Sequence, residues 1–227
     1  MTELEPRGDG ETLAEQAVQR LQQDIMSGAL KPGTRLAVTD LAKRYGVSSS
    51  PVREALSRLA ARNMVAATGR RGFRVRELSR EDLADITRVR ILVEREALRL
   101  SMLHGGDAWE AEVIGTLHRL RLNVHRAGAA FGSGGEEFDR LHHGFHAALI
   151  GGCGSPRLIE LAGDLYNQAF RYRQINMRAM ADAESFVGMH EVLAKAAIGR
   201  DEDRAHALLR SHLNSTLANV YPEHGPA

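Results

Sequence analysis

The feature that most restricts the fold is the run Gly46-Val47-Ser48-Ser49-Ser50-Pro51-Val52-Arg53-Glu54-Ala55-Leu56-Ser57-Arg58-Leu59. It reads as a tight turn that opens directly into a short helix. Ser49 or Ser50 can accept a hydrogen bond from an early helical N–H, and Pro51 suits the first helical position, where no donor is needed. Val52, Ala55, Leu56 and Leu59 recur at helical spacing and form one apolar face, which leaves Ser50, Arg53, Ser57 and Arg58 towards solvent. The exposed side is short, polar and cationic, as suits a helix that enters a groove.

Upstream, Thr39 to Tyr45 forms a second short helix, with Thr39 as its cap and Leu41, Ala42 and Tyr45 to bury. Gly46-Val47 joins the two, and two short helices on a glycine turn make a helix-turn-helix. Thr12 to Ser27 carries Leu13, Ala17, Leu21 and Ile25 or Met26 at helical spacing and stops at Gly28, so it adds a helix that packs onto the pair. Downstream, Met64 to Ala67 and Phe73 to Arg76 are strand-like runs around Thr68-Gly69-Arg70-Arg71-Gly72, a hairpin turn carrying two arginines. Together these elements make a winged helix.

A formal charge of +1 conceals an asymmetry: Lys31 to Arg76 holds 11 basic residues against Asp40 and Glu54, a local +9 that leaves −8 for the remainder. Neutralising phosphates needs a local positive surface rather than a positive total, so the basic segment is an electrostatic footprint for nucleic acid. The chain has 227 residues, 43% of them hydrophobic, which suits two small domains with their own cores. The one cysteine, Cys153, excludes an internal disulfide framework. Residues 1–10 are polar and acidic and are expected to be disordered, and no later run reaches the length of a spanning helix. These features lead to the expectation of a soluble cytoplasmic protein without a membrane partner.

From about residue 78 the pattern is helical throughout. Ser79 can cap a helix with an acidic first turn, and the periodicity predicts helices over 80–103, 107–127, 135–151, 156–179, 182–198 and 201–218. Gly105-Gly106, Ala127 to Gly135 and Gly151 to Pro156 form the breaks, with Gly132 to Gly135 a flexible loop. Six amphipathic helices with short connections make an antiparallel bundle. The fold class is therefore mainly α: a winged helix-turn-helix domain over 11–77 followed by an all-helical domain over 78–220.

All ten histidines lie after residue 103, a hint that the second domain has chemistry the first lacks. His142 and His146 are four apart and project from one helix face, while His190 and His212 sit among apolar neighbours on the last two helices. The four can converge on one interior spot. Spacing alone leaves two readings open, a metal site or buried hydrogen-bonded histidines. His143 points elsewhere on its helix and is expected at the surface. No zincin spacing, nucleophile-elbow motif or phosphate cradle is present, which argues against an enzyme.

PGTRL (32–36), DLAKRYGVS (40–48), SPVREALSRLAARNMV (50–65) and RRGFRV (70–75) resemble the DNA-binding domain of GntR-family bacterial transcription regulators. The remainder is similar to the all-helical ligand-binding (FCD) domain of the FadR-type subfamily. The resemblance implies a ligand-responsive regulator on double-stranded operator DNA. One recognition helix covers few base pairs, so a homodimer on a palindromic site is expected. Arg35, Ser48, Ser49, Ser50, Arg53, Arg58, Arg70, Arg71 and Gly72 are the implied DNA-facing residues. Ser49 departs from the arginine common in the family.

LHHGFHAAL (141–149) resembles the block through which many members bind a divalent metal, with His146, His190 and His212 at matching positions. At the first ligand position, where the family usually has Asp or Asn, His142 stands instead. A set of four imidazoles favours zinc, or nickel, over calcium or magnesium. Arg90 matches an arginine that can hold an anionic effector, a small organic acid; otherwise Arg90 and Glu94, four apart, are an intrahelical pair worth a few tenths of a kcal/mol. Arg171 and Arg173 are similar candidates, at least one of them expected to be solvated. The alternative keeps the regulator but makes the metal structural, or itself the signal.

Overall fold

The computed structural model describes residues 12–69, 72–128, 136–176 and 182–222. Arg70 and Arg71, the first ten residues, the loop Gly132 to Gly135 and the expected helix end at 177–179 lie outside the described residues. The chain divides between Ser79 and Arg80 into two compact units.

In the first unit, α1 (Leu13–Met26) opens on a capping box: Thr12 accepts from the Glu15 backbone N–H at 3.2 Å while the Glu15 carboxylate accepts from the Thr12 N–H at 2.8 Å. It is followed by β1 (Arg35–Leu36), α2 (Val38–Tyr45), α3 (Ser49–Ala61), β2 (Val65–Ala67) and β3 (Phe73–Val75). Gly46 ends α2 in the left-handed region at φ 68°, a conformation that favours glycine. The three strands form an antiparallel sheet in the order β1-β3-β2, with Leu36 opposite Phe73 and Val65 opposite Val75. Val52, Ala55, Leu56 and Leu59 of α3 are fully buried in one core with Leu21 of α1, Leu41 and Tyr45 of α2 and Val75 of β3. The core fixes which side of α3 remains outside.

Three local expectations are corrected. Thr39 is not the cap of α2: the helix begins at Val38 after Ala37, which has no capping side chain, and Thr39 Oγ1 reaches Asp40 Oδ1 instead. Neither Ser49 nor Ser50 caps α3; Ser48 holds that position without a side-chain bond, and Pro51 is the third helical residue. Proline is tolerated there because the first four N–H groups of a helix have no partner within it. Strand β1 was not foreseen. Its two residues are too few to alternate, and it forms because β3 offers a free edge, with the Val75 N–H donating to Thr34 O and the Gly33 N–H to Val75 O.

The second unit contains α4 (Arg80–His104), α5 (Asp107–Ala127), α6 (Glu136–Ile150), α7 (Pro156–Asn176), α8 (Ala183–Ile198) and α9 (Glu202–Val220). Asp182 and Asp201 cap the last two through their carboxylates. Helix α4 packs against α7 and α9, and α5 against α6 and α8, around a core that includes Leu98, Val113, Phe145, Leu149, Leu193 and Leu209. Trp109 of α5 fastens the end of α6, its indole N–H donating to the carbonyls of Ala148 at 2.9 Å and Leu149 at 3.2 Å. Histidines on α6, α8 and α9 are thereby turned to one interior point.

Candidate metal centre and nucleic-acid interface

On α3 the apolar stripe faces the core, so Ser48, Ser49, Ser50, Arg53, Ser57 and Arg58 are exposed together. Their side chains differ in freedom. Arg58 is bound to Glu54 one turn back, Nη2 to Oε1 at 2.6 Å, whereas Arg53 has no partner among the described residues. Arg35 is exposed on β1 opposite Arg74, whose guanidinium donates to the Gly33 carbonyl. Gly72 lies at φ 92°, and the Thr68 N–H donates to its carbonyl, closing the wing. The structure thus brings Ser48 to Ser50, Arg53 and Arg58 onto one helix surface, with Arg35 on the sheet and Gly72 in the turn that leads into β3.

In the bundle, His142, His146, His190 and His212 come together, with one ligand-type nitrogen from each lying within 4.8 Å of the others. All four are buried, at 0 to 5% exposure. Nε2 of His142 is 3.1 Å from that of His190 and 3.2 Å from that of His146, which is 2.9 Å from that of His212. The outer nitrogens are treated differently. His190 Nδ1 donates to the carbonyl of Phe186 at 2.6 Å, and His142 Nδ1 lies 3.0 Å from the Tyr166 hydroxyl. Among the described residues His212 Nδ1 has no hydrogen-bond partner, and His146 Nδ1 lies 3.6 Å from the Glu94 carboxylate.

Two of these contacts determine where the lone pairs point. With its Nδ1 proton on the Phe186 carbonyl, His190 presents an unprotonated Nε2, and His142 does the same when its Nδ1 donates to Tyr166. Two acceptor lone pairs then face each other across 3.1 Å with no proton between them. A cation resolves that opposition. Metal–nitrogen bonds of about 2.0–2.1 Å separate neighbouring ligand nitrogens by about 3.0–3.4 Å, so the residues present fit a borderline divalent ion.

Protonation does not compete at neutral pH. Burial, followed by the repulsion of neighbouring charged groups, lowers His142, His146 and His212 well below the ordinary imidazole value. Burial lowers His190 to about 4, although its bond to the Phe186 carbonyl acts in the opposite direction. The four rings are therefore neutral near pH 7, the form in which an imidazole can take a metal ion.

Around the cluster lie residues the sequence did not mark. Tyr166, on α7, is 2% exposed and donates its hydroxyl proton to Asp139 at 3.0 Å; Arg173 Nη2 is 3.4 Å from the same carboxylate oxygen. Burial pushes the Asp139 carboxyl up, opposed by Arg173 and by the Tyr166 hydrogen bond, and burial pushes the Tyr166 phenol up. An aromatic at helical spacing reads as core, and nothing in the sequence distinguishes Tyr166 from Phe170.

Arg90 and Glu94 are a buried pair rather than a weak intrahelical one: their side chains are 3% and 4% exposed, joined Nε to Oε1 at 2.7 Å, and Arg90 Nη2 has no hydrogen-bond partner among the described residues. Arg171 and Arg173 are both buried, contrary to the expectation that one is solvated. His143 is half-buried with its ring centroid 4.4 Å from that of Tyr166, because the Tyr166 ring extends over that side of α6. A groove of about 620 Å³ between α5 and α6, floored by Gly144, Ala147 and Ala148, lies on the opposite side of α6 from His142 and His146.

A winged helix whose α3 exposes a polar, cationic face, joined to an all-helical domain with buried histidines, defines the class of two-domain DNA-binding transcription regulators. Comparison with known proteins gives the family. Residues 13–75 match the bacterial regulatory proteins of the gntR family, and residues 85–215 match the FCD domain. The chain is 38% identical over 215 residues to the HTH-type transcriptional regulator BphR of Paraburkholderia xenovorans (strain LB400), covering 95% of this chain and 88% of that one. It is 35% identical over 198 residues to the HTH-type transcriptional repressor GlaR of Escherichia coli (strain K12), covering 85% and 89% respectively. The solved structure of E. coli McbR/YncC matches with a TM-score of 0.77 at 26% identity, over 94% of this chain and 99% of that one. The chain belongs to the GntR family of bacterial transcription regulators, with an FCD domain at its C-terminal side. It is a DNA-binding transcription regulator and not an enzyme. Among the described residues no helix is long and apolar enough to cross a membrane.

Proposed function

We propose that this regulator binds a palindromic operator as a homodimer in the cytoplasm, and that its bundle holds a divalent transition metal beside which a small carboxylate effector alters DNA affinity. The observation that carries the reading is the convergence of four buried imidazoles through Nε2, with the Nε2 atoms of His142 and His190 3.1 Å apart. His142, His146, His190 and His212 hold the ion, zinc in the first place and nickel as the alternative. When bound, the metal supplies a Lewis-acidic anchor for one oxygen of a carboxylate. Arg90 offers a second anchor, since its Nη2 is buried without a hydrogen-bond partner among the described residues. The ligands come from α6, α8 and α9, so filling the site favours one packing of those helices over another, and coupling of about 1–3 kcal/mol is ordinary for such a switch.

At the DNA, Arg53 reads a guanine edge with its free guanidinium, and Ser48, Ser49 and Ser50 meet the backbone at the start of α3. Arg58 and Arg35 contact phosphate, while Arg70 and Arg71, with Gly72 allowing close approach, place the wing on phosphate or in the minor groove.

A second reading rests on the number of ligands. Four imidazoles by themselves complete the tetrahedron of a closed zinc site, which would make the metal structural or the sensed signal itself. Fluorescence anisotropy on a duplex selected from a random library separates the two readings. Wild-type protein is titrated in the presence of acetate, lactate, succinate, glutarate and citrate, with and without zinc. The proposal expects at least one carboxylate to change operator affinity about 5–150-fold only when zinc is present, and His146→Ala and His212→Ala to abolish the change while basal binding persists. A response to zinc alone supports the second reading. A response to carboxylate of wild-type size in both metal-free variants excludes both.

A further inference from the structure

The four histidines are not equally prepared to bind a metal. His190 is set by its own helix, because the acceptor for its Nδ1 proton is the Phe186 carbonyl one turn back. Among the described residues His212 Nδ1 has no hydrogen-bond partner, and His146 Nδ1 is 3.6 Å from Glu94. Of the four, only His142 has its Nδ1 within hydrogen-bond distance of a side chain from another helix among the described residues, the Tyr166 hydroxyl of α7 at 3.0 Å. That hydroxyl has one proton, and Asp139 takes it: the phenol donates to Oδ1 at 3.0 Å, and Arg173 approaches the same oxygen at 3.4 Å. With its proton committed, the Tyr166 oxygen can only accept from His142, so the His142 proton must sit on Nδ1.

The hydroxyl is also held in place. The Tyr166 ring is 2% exposed, with the Arg173 guanidinium 4.5 Å and the Arg90 guanidinium 5.4 Å from its centroid, and His143 packed against it at 4.4 Å. Asp139 stands three residues before His142 on α6, so the carboxylate, the phenol and the imidazole form a closed path from α6 to α7 and back. The ligand set itself contains no carboxylate. The path brings a negative charge to within one hydroxyl and one ring of the cluster without occupying a ligand position.

We propose that Tyr166, backed by Asp139, is the positioning residue that holds His142 in its Nδ1-protonated form and so presents the Nε2 lone pair to the metal. The inference rests on the metal reading above, yet its first consequence is visible without metal. In full-length protein labelled with ¹⁵N-histidine and stripped by a chelator, long-range ¹H–¹⁵N NMR reads the His142 tautomer directly. Zinc and cobalt affinities are measured in parallel by competition with a chromophoric chelator.

Wild-type His142 is expected to carry its proton on Nδ1. Tyr166→Phe keeps the ring and removes the acceptor, so it should yield a mixture of tautomers and about 10–100-fold weaker zinc binding, the usual effect of losing an outer partner of a metal-bound histidine. Asp139→Asn retains an oxygen for the phenol proton and should fall between the two, which guards against a folding defect in either variant. A Tyr166→Phe protein with the wild-type tautomer and wild-type zinc affinity overturns the proposal. A wild-type protein with Nδ1-protonated His142 that binds neither zinc nor cobalt overturns the metal reading, and with it the role given to Tyr166.

Discussion

Arg90 Nε lies 2.7 Å from Glu94 Oε1 with both side chains almost wholly buried, which makes this intrahelical pair a different object from the exposed i,i+4 pairs it resembles in sequence. An exposed pair contributes about 0.3–0.5 kcal/mol, whereas removing one partner of a buried pair leaves an uncompensated charge and costs about 3–5 kcal/mol. Arg90→Met is therefore expected to destabilise the protein by that larger amount in urea unfolding. The double variant Arg90→Met/Glu94→Gln should recover much of the loss. An Arg90→Met protein within about 1 kcal/mol of wild type would contradict the buried pair.

The histidine cluster gives the metal-free protein a defined pH dependence. His190 has its folded value lowered from 6.5 to about 4, and His142, His146 and His212 move in the same direction. Between those values the unfolded chain binds more protons than the folded one, so stability is full above about pH 6.5 and is lost as pH falls towards 4. His190 alone accounts for roughly 3 kcal/mol of that loss. Urea unfolding of chelator-stripped protein at pH 7.5, 6 and 5 should show a progressive fall. A flat response across this window would mean that the rings are protonated, or exposed, in the folded state.

On the DNA side, Arg53 and Arg58 are separated by what their side chains already hold. Arg53 is unpartnered among the described residues, while Arg58 is tied to Glu54 at 2.6 Å. Arg53→Ala should lose about 1–3 kcal/mol on the selected duplex and little on a random one. Arg58→Ala should lose less. Arg70→Ala and Arg71→Ala should weaken both duplexes alike and reduce the salt dependence of binding. Anisotropy titrations over a range of salt concentrations check all four, and a wing variant that lost binding to the selected duplex only would reverse these roles.

Helical period was the most legible property of the chain. The expected span 107–127 is α5 as observed, and the apolar stripe Val52, Ala55, Leu56 and Leu59 of α3 is fully buried. The convergence of His142 with His146 follows from their spacing of four, and that of His190 and His212 from inward positions on neighbouring helices. What escaped the sequence depends on tertiary partners. Strand β1 exists because β3 accepts it, and the caps of α2 and α3 fell one or two residues from their expected places because the turns before them set the entry. Asp139 and Tyr166 are 27 positions apart on different helices, and only the packing of α7 against α6 makes them a hydrogen-bonded pair.

Native mass spectrometry of the full-length, chelator-stripped protein titrated with zinc tests the central claim most directly. The account predicts retention of one ion per chain, with loss of retention in His146→Ala and His212→Ala, because each removes one of four converging Nε2 donors from a buried site. Wild-type protein that retains no zinc or nickel, or a His146→Ala/His212→Ala double variant that retains the ion as wild type does, would contradict it.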